Sequence, residues 1–379
     1  MGMQNKKLKA AIQASLMTTL VGTSFQAGAV SLNIDGVDAS LYGYARLNAS
    51  YDINENISNS ARTGSFASLG GADEDVEGHF GADAFQSRLG VRVKTEQGLK
   101  VTVEGDFRGS GGGSLRLRHA YGEYKNILMG QTWSNYMSFY GITPGLDFDG
   151  IPGMAGLQGR VTQARYTTGN FALALEDTLT SVLNNTNTRD GLPTLTARYE
   201  TSSGALSYSI GGLAHQVTVD DGTTDDSAMG FATFLAANFA LTDALTLHGT
   251  VNYSDGANLY LYRSGENFGG EDAYLDGGDL NTIAGYAATL GTSLDIGNGR
   301  SVNLAYGFAT MDWDDAEADL GSATLAAKSE TNQKAMINYI WTPVTNVMMG
   351  VEYAYFQREN LSGASADANR LMFAAQYNF

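Results

Sequence analysis

Cysteine is absent from the 379 residues, so disulfides, zinc-thiolate sites and thiol nucleophiles are excluded. Proline is nearly absent too, at 4 residues, a scarcity that suits a chain made mostly of strands. The four histidines, His79, His119, His215 and His248, are scattered and lack the paired spacing of a two-histidine metal site. Neither a Gly-x-Ser-x-Gly elbow nor a phosphate-binding loop occurs. The chain is therefore read as a non-enzyme without a cofactor. Basic residues are outnumbered, 23 against 40 acidic, which argues against a nucleic-acid partner because phosphate binding rests on clustered Lys and Arg. Beyond residue 29 no run of 18 apolar residues occurs, so spanning helices are excluded on length.

What is present begins with an export signal. Lys6, Lys7 and Lys9 precede an apolar stretch from Ala10 to Val21, and Ala27-Gly28-Ala29 precede Val30. Residues 1–29 are read as a signal peptide cleaved after Ala29, and residues 30–379 as one domain. Without the three lysines of the leader, the 23 basic residues fall to 20 against 40 acidic ones.

Period-two alternation then recurs from Ser40 to the last residue. Leu41, Gly43, Ala45, Leu47, Ala49 and Tyr51 share one face of the first strand, with Tyr42, Tyr44, Arg46, Asn48 and Ser50 on the other. Sixteen such segments start near residues 40, 84, 99, 114, 126, 159, 170, 192, 204, 228, 244, 281, 300, 329, 345 and 368. Connections alternate between short and long, and an even strand count with that rhythm predicts a transmembrane antiparallel β-barrel with tight periplasmic turns and long outer loops. One face of the strands is apolar and the other charged. A filled interior is disfavoured because unpaired buried charge costs several kcal/mol or more, whereas about sixteen strands enclose an aqueous channel.

Alternation places Arg46, Arg88, Arg92, Lys94, Lys100, Arg108, Arg116, Arg118, Arg165, Arg198, Lys334, Arg358 and Arg370 on the inner face, most of them before residue 200. One basic wall follows, and with it a preference for anions. The competing expectation is that these cations pair with Glu104, Asp106, Glu176 or Glu200 and simply brace the wall. The long segment 134–158, with Pro144-Gly145, Pro152-Gly153 and Asp147-Phe148-Asp149-Gly150, is expected to fold inward and narrow the pore, its carboxylates facing the basic wall across a transverse field. The same Asp-x-Asp-Gly run hints at calcium but lacks the other oxygen ligands. The acidic runs Asp73-Glu74-Asp75, Asp220-Asp221, Glu271-Asp272 through Asp279 and Asp312-Trp313-Asp314-Asp315 fall in expected outer loops. They read as solvated surface, with divalent cations near lipopolysaccharide as a lesser expectation.

Several motifs resemble those of the DcaP-like trimeric outer-membrane porins. They are Tyr42-Gly43-Tyr44-Ala45-Arg46, Arg116-Leu117-Arg118-His119-Ala120-Tyr121-Gly122-Glu123, Gly130-Gln131-Thr132-Trp133-Ser134-Asn135-Tyr136 leading into Asp147-Phe148-Asp149-Gly150, and the terminal Tyr377-Asn378-Phe379. The resemblance implies a sixteen-stranded homotrimer in a Gram-negative outer membrane, with an inward third loop and passage of small anions such as dicarboxylates. It also implies that Arg46, Arg116, Arg118, Asp147 and Asp149 form the constriction, and that Phe379 is the signal read by barrel-assembly machinery. Members with a long helical extension before the barrel differ from this chain, where about ten residues separate Val30 from the first strand. A weakly selective porin, and a plugged structural or enzymatic barrel, are the alternatives.

Overall fold

The computed structural model describes residues 29–34, 36–59, 61–71, 76–185, 187–220, 222 and 224–379. The leader at 1–28 lies outside the described residues, as do Asp73-Glu74-Asp75 and Asp221 of the acidic runs. Twenty strands form: β1 (Val30–Ile34), β2 (Val37–Asp52), β3 (His79–Asp83), β4 (Arg88–Thr95), β5 (Lys100–Gly109), β6 (Ser114–Tyr124), β7 (Ile127–Trp133), β8 (Arg160–Thr168), β9 (Phe171–Glu176) and β10 (Thr194–Ser203). The second half holds β11 (Leu206–Asp220), β12 (Asp225–Ala240), β13 (Leu245–Asp255), β14 (Ala273–Asp276), β15 (Asp279–Thr282), β16 (Ala284–Gly297), β17 (Arg300–Asp312), β18 (Ser329–Val344), β19 (Val347–Asn360) and β20 (Ser365–Asn378).

Sixteen staves close a barrel of antiparallel neighbours. β3 and β4 are one interrupted stave, since β2 pairs with both, at Asp52↔His79 and at Val37↔Thr95. β14 and β15 form a separate two-stranded hairpin. The seam joins β20 to β2 at Tyr44↔Asn378, and there the Phe379 and Gly43 amides each donate to the other's carbonyl at 3.0 Å. Gly43 has no room for a side chain, because a Cβ would stand 2.2 Å from the Arg88 carbonyl oxygen and 2.9 Å from the Phe379 ring. β1 continues the line of β20 along β2, from Val30↔Leu41 to Ile34↔Val37. Each expected strand start falls within a few residues of an observed one.

The alternation is realised as expected. Leu47, Tyr51, Leu89, Val103 and Leu117 are exposed on the outer face, while Asn48, Ser50, Asp52, Glu104 and Asp106 are buried inside. Exposed aromatics gather at two heights: Tyr124, Tyr166, Phe171, Phe239 and Tyr377 near the short turns, and Tyr51, Phe80, Phe231, Tyr253, Tyr286 and Tyr353 toward the long loops. Such paired girdles mark the two interfaces of a membrane-spanning barrel. The short turns are the periplasmic ones; Asn298-Gly299, with φ of 56° and 68°, shows why Asn-Gly suits a two-residue hairpin.

The interior departs from a uniformly open lumen. Loop 134–158 folds inward as expected and crosses to the far wall. There Asn338 Nδ2 donates to the Pro144 carbonyl at 2.8 Å, the Leu146 amide to Glu352 Oε2 at 2.7 Å, and Asn252 Nδ2 to the Gly153 carbonyl at 2.8 Å. Two further stretches, 54–71 and 257–270, expected as parts of outer loops, also turn into the barrel. Arg263, fully buried, stitches them together: Nη2 donates to the Gly64 carbonyl at 2.6 Å and Nη1 to the Gly150 carbonyl at 3.1 Å, over the Phe66 ring at 4.5 Å. The three segments bury Ile57, Phe66, Leu69, Ile142, Ile151, Met154 and Tyr262 against Ala305, Met336, Ala354, Phe356 and Ala368 of β17–β20. The inner face of β17–β20 is thus a packed core, because apolar side chains of the loops gain more by burial there than in water.

Two cations trapped in that core are paired with carboxylates, which is how they are tolerated, while Arg263 is held by backbone carbonyls. Arg370 Nε donates to Asp52 Oδ1 at 2.6 Å, with both side chains fully buried. Lys334 Nζ lies 2.8 Å from Asp147 Oδ2 and 2.9 Å from the Gly150 carbonyl, so it pins loop 134–158 to β18. Burial opposes ionisation of Asp147, but the Lys334 ammonium, with Arg263 and Arg370 behind it, outweighs burial and holds the carboxyl down at about 2. The pair is therefore complete above the ordinary carboxylate value of 3.8 and is lost as pH falls through about 2.

Lys334→Met is expected to destabilise the folded barrel by about 3–5 kcal/mol, the cost of leaving one buried charge unpaired. Heat-modifiability of the purified protein measures this, and the double variant with Asp147→Leu is expected to recover most of the loss. The native channel should also become noisier between pH 4 and pH 2; a quiet trace there, or wild-type heat resistance in the single variant, would show that this pair does not hold the loop.

Candidate functional site

With β17–β20 covered, the space left inside the barrel lies against β2–β8. It is a cavity of about 460 Å³ whose lining includes Arg46, Arg88, Arg108, Arg116, Arg118 and Arg160 on one side and Leu146, Asp147, Phe148, Asp149 and Met154 of the inner loop on the other. Ser301, Thr342, Met348 and Gln376 line it toward the periplasmic turns, and Leu179, Leu259 and Phe268 toward the outer loops. The cavity thus runs past the narrowest part from both directions.

A β-bulge builds the basic side. In the β5–β6 register Glu104 faces His119 and Gly105 faces Leu117, so Arg118 is the extra residue. A bulge turns two successive side chains to one face. Arg118 and His119 are both buried inside, whereas strict alternation allows only one of them. Arg118 then reaches two carboxylates, with Nε 2.7 Å from Glu104 Oε1 and Nη1 3.0 Å from Asp106 Oδ2. Arg116 grips Asp106 with two bonds, Nε to Oδ1 at 3.0 Å and Nη2 to Oδ2 at 2.7 Å. Arg88 stands with Nε 3.5 Å from Glu104 Oε1 and over the Tyr44 ring at 4.8 Å.

The inner loop completes the constriction. Arg108 Nη1 lies 3.2 Å from Asp149 Oδ1, and its guanidinium covers the Phe148 ring at 4.1 Å, with Arg118 at 5.6 Å from the same ring. Asp149 also accepts the Thr63 hydroxyl at 2.7 Å. Neither loop carboxylate therefore faces the passage unpaired. Asp147 is turned to Lys334 and Asp149 to Arg108, so the expected transverse field from free loop carboxylates is not built, and neither group is left for calcium.

Two guanidiniums differ from the rest. Arg46 donates only to neutral acceptors, from Nε to Asn48 Oδ1 at 2.8 Å, from Nη1 to Gln376 Oε1 at 3.3 Å and from Nη2 to the Leu146 carbonyl at 2.9 Å. Arg160 lies over the Trp133 ring at 4.4 Å, and its buried Nη1 has no hydrogen-bond partner. Among the described residues neither forms an ion pair. The cavity holds six arginines against Glu104, Asp106 and Asp149, since Asp147 belongs to Lys334. An excess of positive charge remains beside the cavity, and the two carboxylate-free arginines carry it.

Seven of the expected site residues, Arg46, Arg88, Arg108, Arg116, Arg118, Asp147 and Asp149, line this one cavity. Arg92 does not. It covers the Tyr42 ring at 3.9 Å beside a smaller cavity of about 160 Å³ nearer the periplasmic turns. Arg165 lies in a third cavity, again toward those turns. Arg160 and Trp133 were missed because they have the outward phase of their strands, Arg160 opposite to Val161, Gln163 and Arg165 and Trp133 opposite to Leu128 and Thr132, yet both line this cavity at the strand ends beside the inner loop.

The family model described as DcaP outer membrane protein matches residues 3–379. Among solved structures, the outer membrane channel DcaP of Acinetobacter baumannii superposes with a TM-score of 0.80 at 29% identity, over 92% of this chain and 100% of that one. The anion-selective porin from Comamonas acidovorans gives a TM-score of 0.56 at 15% identity, over 90% and 100%. A trimer form of OmpT of Vibrio cholerae gives 0.52 at 13%, over 91% and 100%; these two show the fold alone. Comparison with curated proteins gave no match. The motifs, the sixteen staves and the match over nearly the whole chain agree: this protein belongs to the DcaP outer membrane protein family and resides in the Gram-negative outer membrane as a β-barrel.

Proposed function

We propose that the barrel is a passive channel for small hydrophilic solutes, that the solute passes along the β2–β8 wall, and that small anions, dicarboxylates among them, are favoured. The observation that carries this reading is the pair Arg46 and Arg160, two guanidiniums without a carboxylate partner beside one cavity. A planar guanidinium matches a carboxylate bidentately, so two of them suit a solute with two carboxylates. The inner loop supplies shape rather than counter-charge: Phe148 narrows the gap and holds Arg108 and Arg118 in place. The likeness to the DcaP channel and to the anion-selective porin supports the class of activity, and the trimer form of OmpT supports assembly as a homotrimer after removal of residues 1–29. Lipid around the outer face, and delivery by the barrel-assembly machinery through Phe379, belong to the same reading.

A second reading is a weakly selective pore. It has one observation in its favour: Arg88, Arg108, Arg116 and Arg118 are largely neutralised by Glu104, Asp106 and Asp149.

Planar-bilayer reversal potentials in a salt gradient separate the two. Wild type is expected to pass anions over cations, Arg46→Ala and Arg160→Ala to cut that ratio by about threefold each, and succinate to block the wild-type current. Arg118→Ala is expected instead to weaken the fold, since it takes from Glu104 and Asp106 the cation that bridges them and leaves each with one arginine. A reversal potential near zero in wild type, unmoved by either arginine substitution, would leave the weakly selective pore.

The mature protein is expected to begin at Val30 and to run as a trimer before heating. Intact-mass spectrometry and native electrophoresis check both; a retained leader or a monomeric band would remove that part of the reading.

A further inference from the structure

Arg165 belongs to neither the constriction nor the packed core. It projects from β8 into a separate cavity of about 560 Å³ close to the periplasmic turns, bordered also by Arg198, Glu123, Glu200, Asn126 and Thr167. Among the described residues the Arg165 side chain makes no ion pair or hydrogen bond, and its Nε is buried without a partner. The carboxylates around it are engaged elsewhere. Glu123 stands 3.7 Å from Lys100 Nζ, and Glu200 accepts the Ser138 hydroxyl at 3.2 Å with Arg198 Nε at 3.8 Å. Glu176, one turn of the wall away, accepts from the Ser134 hydroxyl at 2.7 Å and from the Asn135 amide. Lys125 borders the cavity but its ammonium is turned to the Tyr124 ring at 5.3 Å. Arg198 is oriented from the other side, where its Nη1 donates to the Met137 carbonyl at the root of the inner loop.

We propose that this cavity is a second anion station, in which Arg165, aided by Arg198, holds a small oxyanion between the constriction and the periplasm. The inference rests on the anion-channel reading and extends it. A half-buried guanidinium without a partner has lost part of its hydration and gained nothing in return, and a carboxylate or phosphate oxygen repairs that deficit directly. The bulk position of the site suits its task. Conduction requires binding weak enough to release the solute and sites spaced so that it moves from one to the next. Arg160 and Arg165 lie five residues apart on one strand, about 16 Å along it at 3.3 Å per residue. With screening acting over about 8 Å in physiological salt, the two stations are separate wells rather than one.

The test uses oriented single channels of the full barrel with succinate added on one side at a time. In Arg165→Gln, association of succinate from the periplasmic side is expected to fall about threefold, the size of one half-exposed ion pair, while association from the outer side and the anion-to-cation ratio stay as in wild type. Arg165→Lys is expected to restore part of the loss, and Arg46→Ala to change the ratio without this asymmetry. The same asymmetry with inorganic phosphate extends the station to oxyanions in general, and its restriction to succinate narrows it to carboxylates. Equal loss from both sides, or none, overturns it. Succinate titrations of the detergent-solubilised protein followed by ligand-line broadening need no conduction: two binding components in wild type and one in Arg165→Gln support the station even if the channel reading fails, and an unchanged profile overturns it.

Discussion

The pair between Lys334 and Asp147 decides where the passage runs. Sixteen staves alone enclose a space wide enough for water on every side. The 2.8 Å contact, with Lys334 also on the Gly150 carbonyl, draws loop 134–158 to the β18 wall, and Arg263 then binds stretch 54–71 to the same loop. Once both are in place, Ile57, Phe66, Met154 and Tyr262 close over β17–β20 as an ordinary hydrophobic core. The open space that remains is set against β2–β8, where the arginines are. A buried ion pair adds little net stability compared with apolar residues of the same volume, so its value here is in fixing one loop position among several.

The arginines of the wall divide by partner rather than by position. Arg116 and Arg118 share Asp106, Arg118 and Arg88 share Glu104, and Arg108 holds Asp149. These pairs make a backing to the cavity, in which Arg116 grips Asp106 with two bonds and Arg118 bridges Glu104 and Asp106. Arg46 and Arg160 stand on that backing with neutral neighbours, one among amide and carbonyl oxygens and the other on an indole face. Of the two expectations drawn from the sequence, the brace of ion pairs is built by Arg88, Arg108, Arg116 and Arg118, and Arg46 and Arg160 are the residues on which the proposed filter rests.

The barrel was legible because period-two alternation is a local property: each stave shows its outer face in its own residues, as β2 does with Leu47 and Tyr51 outside and Asn48 and Ser50 inside. The inward course of 134–158 was legible from its length and glycines. Three features were not. Stretches 54–71 and 257–270 look like any polar outer loop, because what folds them inward is Arg263 meeting carbonyls far away in sequence. The bulge at Arg118 adds one residue to one strand, and nothing local marks it; only the partner register does. Arg160 sits on the outward phase of β8, at the strand end where the inner loop returns, and lines the cavity all the same. Asp147 and Asp149 line the cavity together with the arginines, but their direction depends on Lys334 and Arg108, which lie at a sequence distance that no pattern spans.

Net charge is a poor guide to what this barrel favours, and the geometry shows why. The chain carries −17, yet its acidic residues concentrate in the outer segments, as in the helix Asp314–Leu320 with Asp314, Asp315 and Glu317 in its first turn. Those groups face solvent, where ions screen them within about 8 Å. Arg46 and Arg160 face a confined space walled by protein, where the same charge acts over a lower effective dielectric and is felt more strongly. On the proposed anion-channel reading, selectivity is set by the few charges left without a carboxylate partner beside the cavity, and a change at either one is expected to matter more than removal of several carboxylates from the rim.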